Sequence, residues 1–210
     1  YTIDVLEKEE IGTEIILDLR DDIELEDEKE TFSQFLEDYE LKNLVKKYSD
    51  YIRYPIYLNG EEKPLNQMTP LWKRSKQDIK EEDLNQFYKH QFNDFEEPLH
   101  VIHMNIEGLL TYQALLFIPK KPAYNFYSES YEKGLQLYSK GVFIQDKNKD
   151  LIGDHFKFVK GVVDSADLSL NISRELLQHD RQLKKIATNI EKKIKNELEK
   201  LLENDRDKYL

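Results

Sequence analysis

From Leu176 to Leu201, apolar side chains recur at Leu176, Leu177, Leu183, Ile186, Ile190, Ile194, Leu198 and Leu201, mostly at intervals of three and four. This is the period of a helix that buries one stripe. It predicts a long C-terminal amphipathic helix over residues 181–210, about 40 Å at ~1.5 Å per residue, whose stripe must cover something. Just ahead, Gly161 to Val163 is a short apolar run ending at Asp164, and Ser165 to Ser169 reads as a polar loop containing Asp167 and Leu168. Asn171 or Ser173 fits the N-cap of the helix, with Leu170 before it, so Arg174 falls in the first turn.

Elsewhere the pattern alternates between strand and helix periods. In Glu14 to Leu19, Ile15, Leu17 and Leu19 take every second place, which predicts a strand with one buried face. Phe32 to Tyr48 reads as a helix through Phe32, Phe35, Leu36, Leu44, Val45 and Tyr48. Tyr54 to Leu58 resumes an extended pattern at the residue before Pro55, where helix is disfavoured. Asn59 to Met68, with Gly60 and Pro64 among polar residues, has the composition of a short linker. Asp78 to Phe92 reads as a helix with acidic residues early and Leu84, Phe87 and Tyr88 on one side. Leu99 to Ile106 and Leu109 to Ile118 are extended runs joined at Glu107-Gly108, a hairpin. Leu135 to Tyr138 and Val142 to Gln145 add strands, and Asp154 to Lys160 reads as a short helix. Strands interleaved with helices predict a mixed α/β (α+β) fold, a three-layer αβα sandwich followed by the long helix.

Composition narrows the chemistry. The 210 residues provide ample chain for a core, and the absence of cysteine excludes disulfides and thiolate zinc sites and fits a reducing, cytoplasmic setting. No apolar run approaches membrane-spanning length, and the N-terminus has no signal-peptide pattern. Residues 1–60 carry about ten of the eleven net negative charges, a step that marks them as a separate unit. An acidic total argues against a nucleic-acid partner, and the Lys184, Lys185, Lys192, Lys193 and Lys195 cluster reads as a solvated helix face. His100 and His103 fall on opposite faces of a strand, which argues against a shared metal. No phosphate-cradling glycine loop, nucleophile elbow or zinc-protease helix motif occurs. Trp72, in PLWKR, reads as structural.

Arg174 is the residue that stands out. A cation in the first turn of a helix opposes the macrodipole. One reading is a solvated arginine paired with Asp167, Glu175 or Asp180. The other is a guanidinium aimed at an anion, since its planar fork fits phosphate oxygens.

The stretch GVVDSADLSLNISRELLQ resembles the catalytic loop in the middle domain of the heat shock protein 90 family of chaperones, in its bacterial form. IGTEIILDLRDD, LKNLVKKYSDYIRYPI, PLWKR, FYKH, EEPLH, EGLLTYQALLFIP and LYSKGVFIQD match in the same order, so the resemblance covers nearly the whole chain. It implies that residues 1–58 are the last strand and helix of the family's N-terminal ATPase domain, 59–68 a linker shorter and less charged than is usual, and 69–210 the large part of the middle domain. The family's metal-holding asparagine, catalytic glutamate, adenine-reading aspartate and glycine-rich lid would all precede Tyr1, so the chain reads as a fragment that does not bind or hydrolyse ATP alone.

The resemblance further assigns roles. Arg174 reaches the γ-phosphate of ATP, held with Mg in the N-terminal domain, and Gln178, four residues on, helps position that nucleotide. Leu168 and Leu170 brace the loop, and Asn171 and Ser173 shape its turn. Thr13, after Gly12, matches a threonine that reaches adenine through water; read from the residues alone, the pair is a glycine turn opening a strand. Phe95, where the family normally has Trp, and Phe143 match an exposed apolar patch that holds unfolded client proteins, whereas core packing is the ordinary reading of each ring. A homodimer is implied through a C-terminal domain absent here. The alternative function is a client- or cochaperone-binding module with no catalytic part.

Overall fold

The computed structural model describes residues 11–25, 28–168 and 181–210, and it divides the chain into two compact units, Tyr1–Lys42 and Asn43–Leu210. In the first unit, strands β1 (Ile23–Leu25) and β2 (Glu28–Glu30) pair antiparallel, with Ile23 opposite Glu30. The Asp22 carboxylate accepts from Ser33 N at 2.8 Å and Ser33 Oγ at 2.6 Å, which ties the turn at Ser33–Leu36. Those bonds hold the Asp22 carboxyl below its ordinary pKa.

The alternation at Glu14–Leu19 does not become a strand. The segment has no regular structure, and Ile15, Ile16 and Leu17 are exposed. An alternating face needs a neighbouring strand to satisfy its backbone, and among the described residues β1 and β2 pair only with each other. The expected helix over Phe32–Tyr48 is helical but broken into a 3-10 turn at Ser33–Leu36, helix α1 (Asp38–Leu44) and a π-turn at Val45–Ser49. Glu37, with extended dihedrals, separates the first two.

The compact units divide well before the stretch with linker composition. Asn66 is the reason: its side chain is buried, Oδ1 accepts from Ile56 N at 2.8 Å, and Nδ2 donates to the Ile52 and Tyr54 carbonyls, each at 2.9 Å. Leu65 N donates to Ile56 O and Met68 N to Asp50 O. Residues 59–68 therefore fold back over 50–56, with Asn59 and Gly60 turning the chain at positive φ.

The second unit is built on a five-stranded sheet of β3 (Pro98–Ile106), β4 (Tyr112–Pro119), β5 (Leu135–Ser139), β6 (Val142–Asn148) and β7 (Lys160–Ser165), in the order β3-β4-β7-β5-β6. All pairs are antiparallel except β5 with β7. The alternation anticipated for β3 and β4 holds, with Ile106 opposite Tyr112 across the turn. Strand alternation gives the sheet two apolar faces. Ile102, Met104, Ala114, Leu116, Leu137 and Val163 join one cluster with Leu183, Ile186, Ile190 and Ile194 of helix α3 (Arg181–Asn204). Leu115, Phe117, Tyr138 and Val162 join the other with Tyr51, Leu71, Trp72 and Tyr88.

Tyr88 belongs to helix α2 (Glu81–Phe92). Three acidic residues fill the first turn of α2, and Asp83 Oδ2 accepts from Lys80 N at 3.2 Å, so charge and cap both suit the positive end. Asn93, left-handed at φ 50°, ends it. The short helix expected at Asp154–Lys160 is one 3-10 turn, Asp154–Phe156, and Lys160 already belongs to β7. The C-terminal helix is also shorter than its pattern suggested. α3 stops at Asn204, Asp205 breaks the helical dihedrals, and a single turn, α4 (Arg206–Tyr209), follows. The apolar stripe ends near Leu201, so beyond it nothing is gained by continuing the helix against the sheet.

Candidate functional site

β7 ends nine residues before Arg174 in the sequence, and the structure shows how that end is fixed. Asp164 alternates to the Trp72 side of the sheet, where it is 1% exposed. Its Oδ2 accepts from Trp72 Nε1 at 3.1 Å and pairs with Lys73 Nζ at 2.7 Å, and Oδ1 accepts from Gly141 N at 3.3 Å. One buried carboxylate thus ties together the Leu71–Lys73 turn, the β5–β6 turn and the exit of β7. Gly141 is required there, since its φ is +84° and a Cβ would meet the Tyr51 carbonyl oxygen. Trp72 is fully buried with its ring edge-on to Tyr51 at 4.6 Å and tilted on Tyr138 at 5.1 Å, so the structural reading of this tryptophan agrees with its place. Burial, and then the Asp50 charge, push the Tyr51 hydroxyl up to about 12.

The next residues are held as firmly. Ser165 Oγ donates to Thr111 O at 3.0 Å, Thr111 N donates to Asp167 Oδ2 at 2.6 Å, and Asp167 N donates to Ser165 Oγ at 3.4 Å. Ser139 Oγ donates to Leu168 O at 2.7 Å, and the Leu168 side chain is buried in the α3 cluster. The loop therefore leaves from an immobilised base, with Asp164, Ser165 and Leu168 inside the protein. Arg174 and Gln178 lie outside the described residues, as do Leu170, Asn171 and Ser173. Asp164 was legible only as the end of an apolar run; its three partners come from segments 23 to 92 residues away and leave no local signal.

The other candidate residues are dispersed. Gly12 and Thr13 are exposed in the first unit, with open space where a Gly12 Cβ would project. Phe95 is 97% exposed in the turn after α2. That turn is pinned by Asp94, whose Oδ2 accepts from Tyr88 Oη at 2.6 Å and from Lys160 Nζ at 3.0 Å, and by an ion pair between Glu96 and Lys121. Against the desolvation that raises it, hydrogen bonds from Tyr88 and Lys160 hold the Asp94 carboxyl below its ordinary pKa. Phe143 is half-buried on β6, edge-on to Tyr138 at 5.3 Å and Tyr48 at 5.9 Å. Phe95 thus sits near the start of β7, whereas Phe143 sits at the level of Tyr138, which pairs with Asp164 at its end. The two rings occupy opposite ends of the sheet.

His100 and His103 lie on opposite faces as their spacing requires. His100 Nε2 approaches Glu197 Oε2 of α3 at 3.4 Å, and His103 Nε2 is 2.9 Å from the Trp72 carbonyl. Among the described residues no three His, Asp or Glu side chains are grouped to hold a metal ion, and no helix is long and apolar enough to cross a membrane.

Comparison with known proteins places this architecture. The family profile described as "Hsp90 protein" matches residues 59–210, the stretch that contains the whole sheet, α2 and α3. The chain is 50% identical over 226 aligned positions to "Chaperone protein HtpG" of Clostridium botulinum (strain 657 / Type Ba4). It is 48% identical to the protein of that name from Clostridium perfringens (strain ATCC 13124) and 47% identical to that from Bacillus subtilis (strain 168). Each alignment covers 100% of this chain and 36% of the relative, so the chain spans about a third of the length of these proteins. The match over all five strands and both flanking helices shows that this chain belongs to the Hsp90 protein family.

Proposed function

We propose that this chain is the part of an ATP-dependent molecular chaperone that carries an arginine from the middle domain to the γ-phosphate of ATP bound in the N-terminal domain of the same protein. The single observation that carries the reading is the fixed base of the loop. Asp164, Ser165, Asp167 and Leu168 are hydrogen-bonded or buried at the end of β7, and Arg174 follows six residues after Leu168. A guanidinium delivered from a rigid base stabilises charge on the transferring phosphoryl group without reorganising at the moment of reaction. Bound ATP with Mg would supply the phosphoryl group; what this chain contributes is Arg174, with Gln178 four residues on in the sequence and Leu168 as brace. Gly12 and Thr13 stand on an exposed segment and would complete an adenine site only together with residues before Tyr1. The sheet with its two apolar faces is accordingly taken as the middle layer of an αβα sandwich. The whole protein is proposed to act in the cytoplasm as a homodimer on unfolded clients.

In the full-length protein, Arg174→Ala is expected to slow ATP hydrolysis about a hundredfold or more, with nucleotide affinity nearly unchanged. Turnover equal to the parent's removes Arg174 from the mechanism.

A second reading, a client-binding module without catalysis, is favoured by the complete exposure of Phe95 on a turn pinned by Asp94 and Glu96. A large ring displayed on a rigid turn is suited to contact apolar surface. The readings separate if Phe95→Ala impairs holding of an unfolded client while Arg174→Ala spares it.

A further inference from the structure

A groove of about 530 Å³ opens where the segment Arg74–Lys76, the end of β3 and α3 meet. Its lining is Arg74, Ser75, Lys76, His103, Met104, Asn105, Ile106 and Lys193, with no carboxylate among them. In a chain of net charge −11 this local reversal is unexpected. Arg74 and Lys76 are exposed and enter no ion pair among the described residues. Carboxylates stand beside the lining: Asp78 shares a turn with Lys76, and Glu197 and Glu107 bond to lining residues. Glu197 is already shared, Oε1 with Lys193 at 2.9 Å and Lys200 at 3.0 Å and Oε2 with His100 at 3.4 Å. Among the described residues Glu107 meets only the Asn105 amide, at 3.4 Å. The charged side chains that line the groove itself are therefore cationic, with Arg74 and Lys76 the cations left unpaired among the described residues.

The apolar part of the lining says what kind of anion fits. Met104 and the 36% exposed Ile106 supply an apolar floor beneath the cationic rim, and β3 is the outermost strand of its sheet. Inorganic phosphate gains nothing from such a floor, and a nucleic acid, charged at every phosphate, would run well beyond a rim of three cations. An extended protein segment bearing carboxylates and an apolar side chain satisfies rim, floor and strand edge together. We propose that this groove docks an acidic segment of a partner protein, with carboxylates paired to Arg74 and Lys76 and an apolar side chain seated on Met104 and Ile106. The site is separate from the loop base at Asp164 and does not depend on Arg174.

The test uses a fluorescein-labelled peptide of alternating leucine and glutamate, titrated with the full chain at low salt and followed by anisotropy. Arg74→Glu combined with Lys76→Glu is expected to weaken binding roughly tenfold or more, as two attractive surface contacts become repulsive. Ile106→Ser, and separately a peptide with serine for leucine, are each expected to weaken it several-fold. Lys63→Glu with Lys208→Glu, the same charge change elsewhere, should leave it within about twofold. The proposal is overturned by no saturable binding up to millimolar peptide, by equal weakening from the remote pair, or by an oligonucleotide of the same charge binding as tightly. Thermal melts of each variant identify a loss of fold, in which case Lys76→Gln alone must reproduce a weaker form of the effect.

Discussion

Replacing Asp164 by alanine probes the base of the loop directly. The carboxylate is 1% exposed and serves three donors. Two of these, Trp72 Nε1 at 3.1 Å and Gly141 N at 3.3 Å, belong to a fully buried tryptophan and a buried glycine, so neither is well placed to find water once the acceptor is gone. Each abandoned donor costs ~1–3 kcal/mol. Lys73 is a third exposed and turns to solvent, so its share is under about 1 kcal/mol. Removing a buried charge recovers part of its desolvation, which leaves a net loss of about 3–5 kcal/mol and a fall in Tm of roughly 6–20 °C for a unit of this size. Trp72 is the sole tryptophan, so urea unfolding followed by its fluorescence reports the unit that holds this network. Asp164→Asn, which keeps one acceptor, should fall between parent and alanine variant. Lys73→Met should stay within about 1 kcal/mol of the parent. If Asp164→Ala costs no more than Lys73→Met, the carboxylate does not hold the three segments together and the rigid base is refuted.

Other outcomes follow from the same geometry. Hydrogen bonds from Lys193, against the opposing effect of burial, depress the Glu197 carboxyl from 4.5 to about 2. A depressed carboxylate stabilises the fold above its unfolded value, and the contribution is lost as pH falls from about 4.5 toward 2. Glu197→Gln should therefore cost about 1–2 kcal/mol at pH 7, allowing for solvent around its lysine partners, with the gap from the parent narrowing in urea melts between pH 5 and pH 3. Gly141→Ala should cost more than ~2 kcal/mol, because a left-handed φ and the Tyr51 carbonyl both oppose a Cβ; stability within 0.5 kcal/mol of the parent, by the same urea melts, would contradict it. Phe95→Ala should leave Tm within about 1–2 °C, since the ring is exposed, whereas Phe143→Ala should cost about 1–3 kcal/mol through contacts with Tyr138 and Tyr48. A large Tm loss for Phe95→Ala would place that ring in the core.

The sequence by itself determined the elements whose signal is local. The β3–β4 hairpin, α2 with its acidic first turn, and the stripe from Leu183 to Leu201 each repeat at a period that only one kind of element satisfies. The wording around Arg174 carried the family, which 47–50% identity to the HtpG chaperones bears out. Tertiary structure decided what depends on partners far along the chain. Glu14–Leu19 has the alternation of a strand but pairs with no strand among the described residues, so the pattern is present and the strand is not. Asn59–Met68 has linker composition, yet one buried amide, Asn66, satisfies three backbone groups and folds the segment down. Asp164 reads as the polar end of a short run, and only the fold brings Trp72, Lys73 and Gly141 to it. Period is written in neighbouring residues and can be read from them; the satisfaction of a buried polar group is settled by whichever distant segment supplies its partner.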